Sequence, residues 1–138
     1  MIRAAVEASP KTHVTGVTIL TSLSEDDVTD IGFKNKALES AVGLAKIAVD
    51  AGAGAIVCSP LEIVAIRSAV GSGPIIITPG VRPADSQGSD DQVRTMTPKA
   101  AIAAGANLVV IGRPITQSWS FGSEAMRDRA ALIASELI

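Results

Sequence analysis

Two arginines stand beside glycines, each just after a short apolar run of the sequence. The run "IIIT" (75–78) continues into "PGVRP", which contains Arg82, and the run "LVVI" (108–111) continues into Gly112 and Arg113. Glycine lets a ligand come close to the backbone amide, and arginine supplies a planar fork of donors that suits oxyanions. This chemistry predicts that Arg82, Gly112 and Arg113 bind a phosphate group.

The elements that would position these arginines repeat along the chain. Apolar, β-branched runs without alternation occur at residues 14–20, 55–58, 75–78 and 108–111. Such runs are typical of parallel strands that are covered on both faces. Because each is followed by helix signals, the sequence predicts an α/β chain with a parallel sheet.

The helix signals are specific at several places. Residues 35–52, "NKALESAVGLAKIAVDAG", have helical spacing with Gly52 as a left-handed stop. Ser59-Pro60 and Thr97-Pro98 are typical helix starts, and a last helix is expected from about residue 124 to residue 137. Residues 2–8, "IRAAVEA", predict a helix with no strand ahead of it.

The number of repeats fits half of a larger fold. A (β/α)8 barrel takes about 250 residues, and this chain has 138 residues and about four βα units. We expect one partial-barrel domain over residues 1–138; a small doubly wound sheet is the alternative. Either fold leaves two strand edges open unless another chain segment covers them.

Composition excludes several classes of function. The formal net charge is −2, and no dense Lys/Arg run or series of aromatic residues occurs, so no nucleic-acid partner is expected. No apolar run approaches the roughly 20 residues of a membrane span. A single cysteine, Cys58, is expected to be a small buried hydrophobic residue and favours a cytoplasmic location.

No metal site is predicted either. The acidic residues of "ADSQGSDDQVRT" (84–95) do not have the spacing of a calcium loop. The only histidine, His13, precedes the first strand and so lies on the side away from the expected phosphate site. The long polar loop itself predicts a lid or ligand clamp, and Trp119 and Phe121 are expected to pack under the rim of the barrel.

The motifs together resemble a known family. "VTILTSL", "VCSPLE", "ITPGVRP" and "DDQVRTMTPKAAIAAGANLVVIGRPIT" are similar, in order and spacing, to the second half of the orotidine 5'-monophosphate decarboxylases of pyrimidine synthesis. The resemblance covers residues 1–138 and implies the C-terminal half of a TIM barrel.

The resemblance also implies roles for individual residues. Thr21 would face the pyrimidine or ribose of orotidine 5'-monophosphate or its product UMP. Gln92, from the long loop, would reach the phosphate. Arg82, Arg113 and the backbone of Gly112 would bind the phosphate itself, in agreement with their residue types and spacing.

One departure from the family pattern concerns catalysis. The family carries a lysine near its second strand and an Asp-x-Lys-x-x-Asp motif at its third, and uses neither a metal nor an organic cofactor. No Asp-x-Lys-x-x-Asp motif occurs in this chain. The resemblance therefore implies that no catalytic residue is present and that the chain alone is inactive.

The partners would then be a complementing half-barrel or further copies of the chain in a dimer or other homo-oligomer. Two alternatives stay open: a non-catalytic phosphate-binding half-barrel that associates with itself, and another barrel enzyme acting on sugar phosphates.

Overall fold

A computed structural model describes residues 1–86 and 95–137. The strands of its sheet are β1 (Thr15–Val17), β2 (Ala55–Val57), β3 (Ile75–Thr78) and β4 (Leu108–Val109). The helices are α1 (Ile2–Ala8), α2 (Glu25–Asp30), α3 (Ala37–Asp50), α4 (Ile63–Val70), α5 (Pro98–Ala103), α6 (Arg113–Thr116) and α7 (Ser123–Ser135). Short 3-10 turns cover Pro60–Glu62, Ala84–Ser86 and Gln117–Phe121.

The strand order confirms the predicted α/β fold. The strands lie in the order β1-β2-β3-β4, and each pair of neighbours is parallel. A doubly wound sheet reverses its strand order at a switch point, and no reversal occurs among these strands. Because every crossover runs in the same direction and right-handed connections prevail, the helices collect on one face, as in a (β/α)8 barrel.

The core lies between that face and the helices. Ile56 and Ile76, which are register partners on β2 and β3, are fully buried. On β1 the corresponding residue is Gly16, where an added Cβ would come within 2.7 Å of the Cβ of Ala48 on α3. Glycine at this position therefore lets strand and helix pack closely.

The opposite face of the sheet is exposed at its two outer strands, β1 and β4. Val17, Leu108 and Val110 are 57%, 53% and 49% exposed. Val17 lies next to Gly16 on β1, and because successive side chains of a strand point to opposite faces, it lies on the face away from the helices. The expectation that both faces are covered is therefore wrong at the outer strands of the described chain.

Local signals of the sequence are confirmed where the structure describes them. α3 ends at Asp50, and Gly52 has a φ of +95°, the left-handed conformation expected of a stop signal. The backbone N–H of Ser59 donates to the carboxylate of buried Glu62 at 2.9 Å. The hydroxyl of Thr97 accepts from the N–H of Ala100 at 3.3 Å and caps α5.

The sequence did not predict α2. Ser24 precedes this helix, and its hydroxyl accepts from the backbone N–H of Asp27 at 3.2 Å. Two hydrogen bonds from Ser24 lower the pKa of Asp27; the one from the side chain has the larger effect and the one from the backbone N–H the smaller.

The first β-branched run was predicted too long, since the strand ends at Val17.

Two further features differ from or add to the expectations. Trp119 and Phe121 lie in a 3-10 turn and are 61% and 85% exposed, so the prediction that they pack under the rim is wrong. No helix in residues 1–86 and 95–137 is long and apolar enough to cross a membrane.

Candidate functional site

The carboxyl ends of β3 and β4 lie side by side. Ile77 pairs with Leu108 and Thr78 with Val109, and the N–H of Val110 donates to the carbonyl of Thr78 at 2.9 Å. The two loops that carry the arginines therefore begin at neighbouring points of one sheet edge. In parallel α/β folds this edge is where ligands bind.

Arg82 is held firmly in the first of these loops. Its residue is only 6% exposed, and its guanidinium donates to the carbonyl of Val81 at 2.9 Å. Its backbone N–H donates to the carbonyl of Met96 at 2.9 Å, next to a parallel bridge between Val81 and Met96. Gly80, with a φ of +76°, provides the preceding turn. A buried guanidinium in a fixed backbone is pre-organised for an anion.

Arg113 has a different environment. It is exposed and is the first residue of the short helix α6. Gly112 has a φ of −100°, which other residues also adopt, and a Cβ added there would meet no described atom within 4 Å. No described residue therefore fills the space beside the Gly112 backbone, and Arg113 stands next to it.

The other two predicted ligand residues differ in what the structure says of them. Thr21 is 6% exposed and follows β1, at the same edge of the sheet but two strands away from β3. Gln92 lies outside the described residues, as does most of the loop predicted to act as a lid. Arg82, Gly112 and Arg113 thus follow two adjacent strands, β3 and β4. Thr21 follows β1, on the opposite side of the sheet from β4.

Cys58 and His13 lie at opposite edges of the sheet. Cys58 is buried at the end of β2, and its carbonyl accepts a 2.9 Å hydrogen bond from the hydroxyl of Thr78. His13 lies against Gly54, just before β2, and hence at the amino edge of the sheet, away from the arginines. No cluster of three or more His, Cys, Asp or Glu side chains suited to a metal occurs in the described part of the chain.

Sequence reasoning missed one arginine, Arg129 on α7. Its guanidinium grips the carboxylate of Asp85 with two parallel hydrogen bonds of 2.9 and 2.7 Å, and its Nε donates to the carbonyl of Pro114 at 3.3 Å. The hydrogen bond with Asp85 raises the pKa of Arg129. Asp85 and Arg129 are separated by 44 residues, and no local pattern links them.

Comparison with known proteins identifies the family. The model of the family described as "Orotidine 5'-phosphate decarboxylase / HUMPS family" matches residues 1–127. The chain belongs to this family. The resemblance inferred from the motifs is therefore confirmed.

Individual relatives agree. The orotidine 5'-phosphate decarboxylase of Thermobifida fusca is 49% identical over 137 residues, covering 99% of this chain and 56% of the relative. That of Frankia casuarinae is 47% identical over 135 residues, covering 98% of this chain and 49% of the relative. The chain spans about half the length of the curated relatives it matches.

Solved structures show the same fold. The crystal structure of orotidine 5'-phosphate decarboxylase from Lactobacillus acidophilus superposes with a TM-score of 0.73 at 32% identity, covering 99% of this chain and 58% of that one. A conserved protein from Geobacillus kaustophilus gives the same TM-score at 23% identity, a likeness of fold alone. A match to 58% of the Lactobacillus enzyme is consistent with half a barrel.

Proposed function

We propose that this chain supplies the phosphate-binding half of an orotidine 5'-monophosphate decarboxylase, an enzyme that converts orotidine 5'-monophosphate to UMP and carbon dioxide. The observation that carries the proposal is the pair of loops after β3 and β4, in which a buried Arg82 and an exposed Arg113 follow hydrogen-bonded neighbouring strands. Two guanidinium groups with an open glycine backbone offer charge-assisted donors to a phosphate dianion.

The remaining contacts would complete nucleotide binding. Thr21 would face the pyrimidine or ribose, and Gln92 would reach the phosphate from the long loop. The charged groups that act on the reacting carbon would belong to the other half of the enzyme, so this chain would bind the nucleotide without performing the chemistry. Binding energy at a remote phosphate accelerates a reaction only where other groups use it at the reacting centre.

Inactivity of the isolated chain follows from what its sequence lacks. The family's Asp-x-Lys-x-x-Asp motif is absent, and the matched relatives are nearly twice as long. The part of those relatives that this chain does not match is the partner we propose for the open face of the sheet. It would cover Val17, Leu108 and Val110 and pair with the edges at β1 and β4.

Nucleotide binding tests the phosphate site directly. Titration of the 138-residue chain with UMP in a calorimeter should give a measurable affinity that falls at least tenfold in Arg113→Ala, because a charge-assisted hydrogen bond is worth roughly 1.5 to 3 kcal/mol. Arg127→Ala is the matched control, since Arg127 is an exposed arginine on α7. Equal UMP affinity in the parent chain and in Arg113→Ala would place the phosphate elsewhere.

Complementation tests the missing chemistry. Loss of orotidine 5'-monophosphate, followed by ultraviolet absorbance, should be absent for the chain alone. It should appear when the part of the Thermobifida fusca relative that this chain does not match is co-expressed and co-purified with it. Turnover by the chain alone would contradict the proposal, as would no turnover from a folded complex of the two halves.

The open apolar face also supports a second candidate, a non-catalytic half-barrel that closes against a copy of itself. In a two-fold arrangement along the barrel axis, β1 of one copy would pair with β4 of the other. Sedimentation velocity at micromolar concentration distinguishes the two proposals: a dimer without turnover after complementation favours self-association, and a monomer excludes it.

A further inference from the structure

We propose that Arg129 and Asp85 are positioning residues that fix the two arginine loops relative to each other and so set the affinity for phosphate. This inference rests on the proposed function, because it assumes that Arg82 and Arg113 bind the same phosphate. Neither Arg129 nor Asp85 needs to touch the ligand.

The geometry joins both loops through one side chain. Asp85 lies three residues after Arg82, and Pro114 directly follows Arg113. The guanidinium of Arg129 donates to both carboxylate oxygens of Asp85, at 2.9 and 2.7 Å, and to the carbonyl of Pro114 at 3.3 Å. A single group on α7 thus spans from the loop after β3 to the loop after β4.

The burial of the pair supports a positioning role. The side chain of Arg129 is 17% exposed and that of Asp85 is 63% exposed. An ion pair with one well-solvated partner contributes little to the stability of a fold. It nevertheless defines a geometry, since a bidentate fork fixes the plane of both groups.

The position of α7 explains why such a tie is needed. Within the described residues, the loop after β3 is held by the bridge between Val81 and Met96 and the loop after β4 by the short helix α6. Those contacts act within each loop. The three hydrogen bonds of Arg129 relate the two loops to each other. Two arginines that bind one phosphate depend on the relative position of their loops. A displacement of one guanidinium by about 1 Å would remove a large part of the strength of its charge-assisted hydrogen bond to the phosphate.

The chemistry requires arginine. Lysine keeps the charge but is a point donor, and it cannot contact both oxygens of Asp85 and the Pro114 carbonyl with one planar group. Arg129→Lys should therefore loosen the loops while leaving the charge unchanged. Asp85→Asn keeps the shape of the partner and removes its charge.

The experiment compares UMP with uridine, which lacks the phosphate. In the 138-residue chain, Arg129→Lys and Asp85→Asn should each weaken UMP binding about three- to tenfold, with uridine binding changed by less than a factor of about two. The double variant should bind UMP as tightly as the single variant with the larger loss of affinity, because both substitutions break the same ion pair. Arg127→Ala, on the exposed face of the same helix, should bind UMP like the parent chain. Thermal unfolding of each variant is measured in parallel.

The outcomes separate this inference from the proposed function. If the parent chain binds UMP and both variants bind it equally well, the positioning role is overturned and the phosphate site stands. A proportional loss of UMP and uridine binding, or a lower unfolding temperature with unchanged UMP affinity, shows a purely structural role and also overturns it. If the parent chain itself does not bind UMP, the proposed function fails, and the positioning role fails with it.

Discussion

The hydroxyl of Thr78 donates a 2.9 Å hydrogen bond to the backbone carbonyl of Cys58, which joins the ends of β3 and β2 just below the candidate site. Both residues are buried. The carboxyl edge of the sheet is therefore connected by a side chain as well as by the backbone ladder.

Removal of this hydroxyl should weaken the fold. Thr78→Val keeps the shape of the side chain and loses the donor, so the free energy of unfolding should fall by about 1 kcal/mol. Urea denaturation followed by circular dichroism measures this change. Thr78→Ser, which keeps the hydroxyl and loses a methyl group, is the companion variant. A Thr78→Val chain as stable as the parent would mean that the hydrogen bond adds no net stability.

Substitution by alanine should change the stability of the chain in opposite directions at two glycines, one on β1 and one on α3. Gly16→Ala places a Cβ about 2.7 Å from that of Ala48 and should destabilise the chain by about 1–3 kcal/mol. Gly43→Ala, within α3, meets no described atom within 4 Å and should stabilise the chain by about 0.4–1 kcal/mol. We expect the denaturant midpoint of Gly16→Ala to lie below that of the parent chain and the midpoint of Gly43→Ala to lie above it. A Gly16→Ala midpoint at or above the parent value would mean that the strand and helix can separate without cost.

The open sheet face predicts different behaviour for two equally exposed leucines. Leu108 on β4 and Leu132 on α7 are 53% and 54% exposed. Leu108→Ser should weaken association with a complementing half or a second copy, because it removes apolar surface from the proposed interface. Leu132→Ser, on the outer helix, should leave association unchanged. Sedimentation velocity of both variants provides the comparison, and equal effects would argue against an interface on the sheet face.

The cap of α2 predicts a pH dependence. Because the hydrogen bonds from Ser24 lower the folded pKa of Asp27, this carboxylate stabilises the fold above its unfolded pKa, and the contribution is lost as pH falls through the lowered value. The stability difference between the parent chain and Asp27→Asn should therefore be largest near neutral pH and shrink under acid. Urea denaturation at a series of pH values measures it; a difference that does not change with pH would contradict the assignment.

Much of the fold could be predicted from local sequence. The existence of four strands, the stop at Gly52 and the start at Thr97 depend on neighbours within a few residues, and the structure confirms them, with shorter strands than predicted. The neighbouring positions of the two loops that carry Arg82 and Arg113 also followed from sequence, because consecutive parallel strands bring their carboxyl ends to one edge. The roles of these arginines, of Thr21 and of Gln92 stay predictions.

The tertiary structure decided what depends on distant partners. β1 ends at Val17, where its pairing with β2 ends at Val57, and both the N–H and the hydroxyl of Thr18 donate to the Val57 carbonyl. Trp119, Phe121 and the open face of the sheet are exposed. Their exposure depends on which other segments pack against them, and local sequence does not specify this.

The contact between Arg129 and Asp85 shows the difference most directly. The sequence determined the periodicity that makes strands and helices and placed an arginine after each of two strands, since these patterns act over a few residues. Only the packed chain could bring together two charged side chains 44 residues apart, because their meeting depends on how α7 lies across both loops.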